Sequence, residues 1–131
     1  MTPFQIQFQP GQPIVDQVVF AATRAFVSGQ IRPGDAFPSV RALAADLRIH
    51  PNTAHKAVQA LIRDGWLEVH PGIGTIVADR AVPGKDGRQR LLDDKVDPLV
   101  VDARSTGLSL EELQNAIAER WAALDKTEVG R

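Results

Sequence analysis

Residues 38–66 read PSVRALAADLRIHPNTAHKAVQALIRDGW, and two helices are written into them. Val40, Leu43, Ala44 and Leu47 recur at i, i+3, i+4 and i+7, so a short helix buries that stripe and turns Arg41, Ala45 and Arg48 away from it. Ser39 stands where an N-cap belongs, its hydroxyl placed to accept an orphan backbone N–H. Only Arg48, Ile49 and His50 separate this helix from Pro51. Proline suits a first helical position, because its missing N–H would have no partner within the helix. Beyond it, Ala54, Ala57, Val58, Leu61 and Ile62 fall on one side, while Asn52, His55, Lys56, Gln59 and Arg63 fall on the other. Two helices joined by so short a turn, the second presenting a polar face, form a helix-turn-helix. Its recognition helix is predicted over residues 51–64.

The flanks complete the fold. Upstream, Pro13 suits the first turn of a helix, along which Val15, Val18, Val19, Ala22 and Phe26 recur until Ser28-Gly29. Before it, Phe4, Ile6 and Phe8 alternate with glutamines, which predicts a short strand with one buried face. Downstream, Trp66 to Val69 and Thr75 to Val77 read as two β segments joined by HPGIG, a hairpin with proline and glycine at its turn. The predicted class is mainly α with a small β-hairpin wing: a winged helix-turn-helix over residues 1–80.

Residues 81–88, AVPGKDGR, have the composition of a linker. Residues 89–131 then form a helical tail. Leu91, Leu92, Val96, Leu99, Val100 and Ala103 predict a helix up to Gly107, restarted or kinked at Asp97-Pro98. Ser109 with Glu112 makes a capping box, Leu108 with Leu113 a hydrophobic staple, and Leu110, Leu113, Ile117, Trp121 and Leu124 give the next helix one apolar stripe. Two helices of this size cannot enclose a core of their own. Their stripes must be buried against the first domain or against a second copy. Leu92, Val96, Leu99, Val100, Leu113, Ile117, Trp121 and Leu124 are therefore the candidate dimerisation residues.

Length and composition bound the function. The 131 residues are 44% hydrophobic and 24% charged, the profile of a globular protein. No apolar run approaches the ~18 residues of a membrane span, and the N-terminus lacks an export signal, which predicts a cytoplasmic protein without membrane contact. With no cysteine and only three histidines, none spaced as a helical pair, nothing predicts a metal or another cofactor. The net charge is −1, but residues 13–80 hold seven Lys/Arg against six Asp/Glu, and residues 81–131 hold eight against ten. Local placement of charge, rather than its total, has to decide the partner.

On the recognition helix, Pro51, Asn52 and Thr53 occupy the first turn, where free N–H groups favour a phosphate. His55 and Lys56 follow within reach of base edges or of the opposite strand's phosphates. On an isolated helix such residues are an ordinary solvated face, and the helix-turn-helix setting turns them into a reading face. Ser39 and Arg41 open the preceding helix. Arg41 pairs with Asp35 or Asp46 in the plainer reading, and contacts phosphate or guanine in the functional one. At the wing, His70, Gly72, Gly74 and Thr75 sit where a backbone could approach a groove closely. No serine has a neighbouring base, and Asp93-Asp94 and Glu111-Glu112 are adjacent residues that point apart on a helix, so no catalytic site is predicted.

Residues 13–77 resemble the N-terminal winged helix of GntR-family bacterial transcription regulators. The resemblance lies in Pro13 and Gln17, Ser28-Gly29, Pro33-Gly34-Asp35, Pro38-Ser39-x-Arg41-x-Leu43-Ala44, Gly65 and Gly72-x-Gly74-Thr75. HPNTAHKAV, with the short two-helix tail, is most similar to the YtrA subfamily, whose recognition helix typically begins Asn-Pro-Asn-Thr. This implies a homodimer on a palindromic double-stranded DNA operator, usually as a repressor. Contacts would fall on Arg41, Asn52, Thr53, His55, Lys56 and the wing from Gly72 to Thr75. The sequence departs from the pattern at Phe37, where leucine is usual, at Ala54 and His55, and at His50, where asparagine is usual. Histidine caps poorly, which predicts a looser helix start or a His50 that faces DNA.

The alternative is a winged helix that mediates protein or RNA contacts, which the near-neutral charge permits. A small-molecule effector is left open, since so short a tail leaves little room for a pocket of ~300 Å³ except at a dimer interface. Trp66 and Trp121 are expected in the core.

Overall fold

The computed structural model describes residues 2–80 and 84–129, with side chains through Asp125. The chain divides into two compact units, residues 1–80 with 124–131, and residues 81–123, so that the last helix runs from the second unit into the first.

In the first unit, α1 (Ile14–Val27) follows Pro13 and buries Val18, Ala22, Ala25 and Phe26. The Ser39 hydroxyl accepts the Ala42 N–H at 3.1 Å and starts α2 (Val40–Leu47). Arg48 ends that helix at φ 57°, and the Ile49 N–H donates back to the Ala44 carbonyl at 3.0 Å. A left-handed non-glycine residue costs about 1–2 kcal/mol, and here it makes the turn sharp enough for α3 (Pro51–Arg63) to begin with only three residues between it and α2. α3 packs on both α1 and α2, with Leu43 and Leu61 fully buried.

The hairpin pairs β1 (Leu67–His70) with β2 (Gly74–Val77) antiparallel, Leu67 opposite Val77 and His70 opposite Gly74. A third edge joins it. Ala36 bridges Ile76, the Phe37 N–H donates to the Thr75 carbonyl and the Val77 N–H to the Asp35 carbonyl, each at 2.8 Å. Trp66 is half-buried, packed against the core rather than enclosed in it, and stacked on Phe26 at 5.1 Å between ring centres. The Arg80 guanidinium lies over its ring at 4.3 Å.

The N-terminal residues correct the first strand prediction. Residues 4–8 are not a strand, although Phe4 is buried and Ile6 and Phe8 are half-buried between exposed glutamines. The alternation reported which side chains enter the core, but β2's second edge is taken by residues 34–37, and residues 4–8 pair with no strand. The segment is held instead by side chains. Phe4 stacks on Phe37 at 6.1 Å, Gln17 accepts the Gln9 N–H at 2.8 Å, and Thr2 donates to Asp46 at 2.8 Å.

In the second unit, α4 (Lys85–Leu91), a π turn (Leu92–Val96) and α5 (Asp97–Ser105) form a continuous helical run. Helix therefore begins inside the stretch expected as linker, with Asp86 in its first turn and Arg88 and Arg90 in its last, as the helix dipole favours. Residues 81–83 of that stretch lie outside the described residues. At Asp97-Pro98 the α-helical pattern restarts, as expected, directly after the π turn and without an intervening break. The Asp97 N–H reaches back five residues to the Leu92 carbonyl, and this wide turn makes room for a proline ring that would otherwise meet the carbonyl four residues before it.

α6 (Leu110–Val129) opens with the predicted capping box: the Ser109 N–H donates to Glu112 at 2.9 Å, and the Glu112 N–H to the Ser109 hydroxyl at 3.0 Å. From residue 84 to residue 125 only Ala103 is buried. Leu92, Val96, Leu99, Val100 and Ile117 are exposed, Leu113 and Leu124 half-buried. Trp121 is 73% exposed, which corrects its assignment to the core. Its place on the stripe with Leu110 and Ile117 identifies it with a face this unit does not cover. A cleft of about 420 Å³ opens under the α5–α6 turn, lined by Val100, Ala103, Leu108, Leu110 and Leu113 among others.

Candidate nucleic-acid interface

α3 begins with a corrected cap. The His50 ring nitrogen Nδ1 accepts the Asn52 N–H at 3.0 Å, so histidine performs the capping that its helix propensities disfavour, and the helix start is closed rather than loose. The same bond turns the imidazole toward the backbone.

Along α3, Ala54, Ala57, Val58, Ala60 and Leu61 are buried, while Pro51, Asn52, His55, Lys56, Gln59 and Arg63 are exposed. Thr53 is half-buried at the margin. Among the described residues, the side chains of Asn52, Thr53, His55, Lys56 and Gln59 make no hydrogen bond or ion pair within the chain. The helix carries Lys56 and Arg63 and no acid before its C-cap Asp64. Arg63 lies 3.6 Å from Asp64, an exposed contact worth little. The face is therefore polar, mildly positive and unspent.

Arg41 joins it from α2. It borders one shallow depression together with Ala45, Ile49 and Pro51, so the start of α2 adjoins the start of α3. Neither predicted acid holds it: Asp35 accepts the Arg32 N–H at 2.8 Å, Asp46 accepts the Thr2 hydroxyl, and Arg41 has no ion pair among the described residues. Ser39 is exposed, but its oxygen is committed to the cap. On the far side of α3, His55, Lys56, Gln59 and Arg63 share a groove with Asp16, Val19 and Phe20 of α1.

The wing is less free than its sequence implies. His70 Nε2 lies 2.9 Å from the Glu68 carboxylate, and Thr75 is half-buried opposite Val69. Gly72 and Gly74 adopt φ of 79° and 122°, and a Cβ at either would meet nothing within 4 Å. The turn's conformation, not lack of space, demands glycine there. Between them Ile73, inside the predicted wing range but without a motif to single it out, stands 74% exposed. Arg48, in the turn between α2 and α3, is exposed as well.

Known proteins share this arrangement. Residues 15–77 match the family described as bacterial regulatory proteins, gntR family. The chain is 33% identical over 116 residues to the HTH-type transcriptional repressor YtrA of Bacillus subtilis (strain 168), covering 88% of this chain and 89% of that protein. In fold it resembles a transcriptional antiterminator from Listeria monocytogenes EGD-e, with a TM-score of 0.81, 24% identity and coverage of 92% and 91% of the two chains. It also resembles the DNA-binding domain of AraR in complex with operator ORX1, with a TM-score of 0.52, 26% identity and coverage of 56% of this chain and 95% of that one. The family match and the similarity to YtrA along nearly its whole length, on a fold that presents an exposed polar helix face followed by a hairpin, show that this protein belongs to the GntR family and is a DNA-binding transcription regulator.

Proposed function

We propose that the protein is a repressor that binds a palindromic operator as a homodimer. The observation that carries this reading is the exposed face of α3, where Asn52, Thr53, His55, Lys56 and Gln59 have no side-chain partner among the described residues while the other face is buried. Asn52, Thr53, His55 and Lys56 enter the major groove. Ser39, Arg41 and Pro51 lie against the backbone at its edge, and the wing at His70, Gly72, Gly74 and Thr75 follows the adjacent minor groove or backbone. Residues 1–80 form the DNA-binding domain, 81–88 the connection and 89–131 the dimerisation region. Dimerisation covers the exposed Leu92, Val96, Leu99, Val100, Ile117 and Trp121, together with Leu113 and Leu124. Acting on bacterial DNA, the protein works in the cytoplasm. Repression follows from a dimer occupying promoter DNA that polymerase needs, and the named role of the similar YtrA supports it.

The experiment is selection of bound duplexes from a random library with the full chain, combined with sedimentation. An inverted repeat with half-sites about 34 Å apart, one helical turn, bound by a dimer is expected. A chain that stays monomeric at working concentrations and selects no repeat contradicts the reading.

A further inference from the structure

Ile73 is the most exposed large hydrophobic side chain among the described residues, at 74%. It stands at the hairpin tip between Gly72 and Gly74, and its N–H closes the turn onto the His70 carbonyl at 2.9 Å. Nothing else at the tip offers charge to a phosphate. No Lys or Arg occurs from Trp66 to Asp79, and the one histidine there is engaged by Glu68 at 2.9 Å. A wing held to phosphates by charge would need cations, and this one presents an aliphatic side chain flanked by residues without side chains, leaving only backbone N–H groups and Thr75 for neutral contacts. A β-branched residue is stiff at χ1, so little freedom is lost on inserting it into a narrow groove. On the minor-groove floor the four base pairs differ chiefly by the guanine 2-amino group, a donor that an aliphatic side chain cannot satisfy and that occupies the space it needs.

We propose that Ile73 is a specificity residue that enters the minor groove beside the half-site read by α3 and selects A·T pairs there by excluding the guanine 2-amino group. This rests on the DNA-binding reading of α3 given above.

The test uses the full chain and an operator recovered by random-duplex selection. The pairs flanking each half-site are made A·T, G·C or inosine·C, the last differing from G·C only by the missing 2-amino group. A·T and inosine·C are expected to bind alike and G·C at least about five-fold more weakly. Ile73→Ala, at an exposed position where folding is not at stake, is expected to abolish that difference and leave the salt dependence unchanged. Ile73→Lys is expected to steepen the salt dependence by about one unit, as an added phosphate contact does. Equal binding of G·C and inosine·C by the wild type overturns the inference, and so does a preference that persists in Ile73→Ala, which would belong to the shape of the DNA. A protein that binds no selected duplex at all overturns the underlying reading of α3 instead.

Discussion

His50 Nδ1 accepts the backbone N–H of Asn52 at 3.0 Å, joining the turn between α2 and α3 to the first turn of the helix that carries the candidate reading face. Removing an N-cap costs about 0.5–2 kcal/mol. His50→Ala is therefore expected to lower the stability of the chain by that amount in urea denaturation, whereas His50→Asn, which restores a strong cap, leaves it unchanged or raises it. Equal stability of all three would mean that the bond contributes nothing.

Arg80 closes the other end of α3. Its Nε donates to the Asp64 carbonyl at 3.0 Å while its guanidinium covers Trp66. A cation over an aromatic ring at a partly exposed site contributes about 0.5–1 kcal/mol, and a hydrogen bond a similar amount. Arg80→Ala should lower stability by about 1–2 kcal/mol and shift Trp66 fluorescence to the red, with Arg80→Lys in between.

The α6 capping box sets a pH response. The Ser109 backbone N–H, and then its hydroxyl, hold the Glu112 carboxyl below its ordinary value, with a small opposing effect of burial. A carboxyl whose pKa is lower in the folded state stabilises that state above its unfolded value, and the gain is lost as pH falls through the folded value. Acidification below the ordinary carboxylate range should thus reduce helicity at 222 nm more in the wild type than in Glu112→Gln, which has no charge to lose.

The exposed stripe of the second unit predicts assembly. With Ile117, Trp121, Leu92, Val96 and Leu99 all uncovered, the unit exposes more large apolar side chains than scattered surface residues account for. Ile117→Lys should convert dimer to monomer in sedimentation equilibrium while the circular dichroism of the first unit is retained. It should also weaken operator binding by at least tenfold, since two linked half-sites bind far better than one. A dimer that survives the substitution would place the interface elsewhere.

The sequence was most legible where one physical cause acts alone. The i, i+3, i+4, i+7 stripe of α2, Pro51 at the start of α3 and the Ser109–Glu112 box are local, and each stands where its pattern puts it. The misreadings share a dependence on distant partners. Phe4, Ile6 and Phe8 alternate as a strand does, but whether they pair depends on residues 34–37 having taken the edge of β2. The role of His50 depends on a rotamer rather than a propensity, and the unbroken restart at Asp97-Pro98 on a π turn that no spacing announces. Trp121 looks like a core residue because its stripe is apolar, yet the stripe cannot say what covers it. Of the candidate interface, Asn52, His55, Lys56 and Arg41 were legible from their spacing and are exposed together, whereas the engagement of His70 by Glu68 became visible only in the hairpin register.

The account depends on α3 presenting its outward side chains to a duplex, and the salt dependence of operator affinity tests this most directly. Each phosphate contact contributes a slope of about 0.9 in the logarithm of affinity against the logarithm of salt concentration. For Lys56→Ala and Arg41→Ala, titrated as full chains on the selected operator from low to physiological salt, the predicted result is weaker binding with a slope shallower by about one per contact in each half-site. Wild-type affinity and slope in both variants would contradict the account.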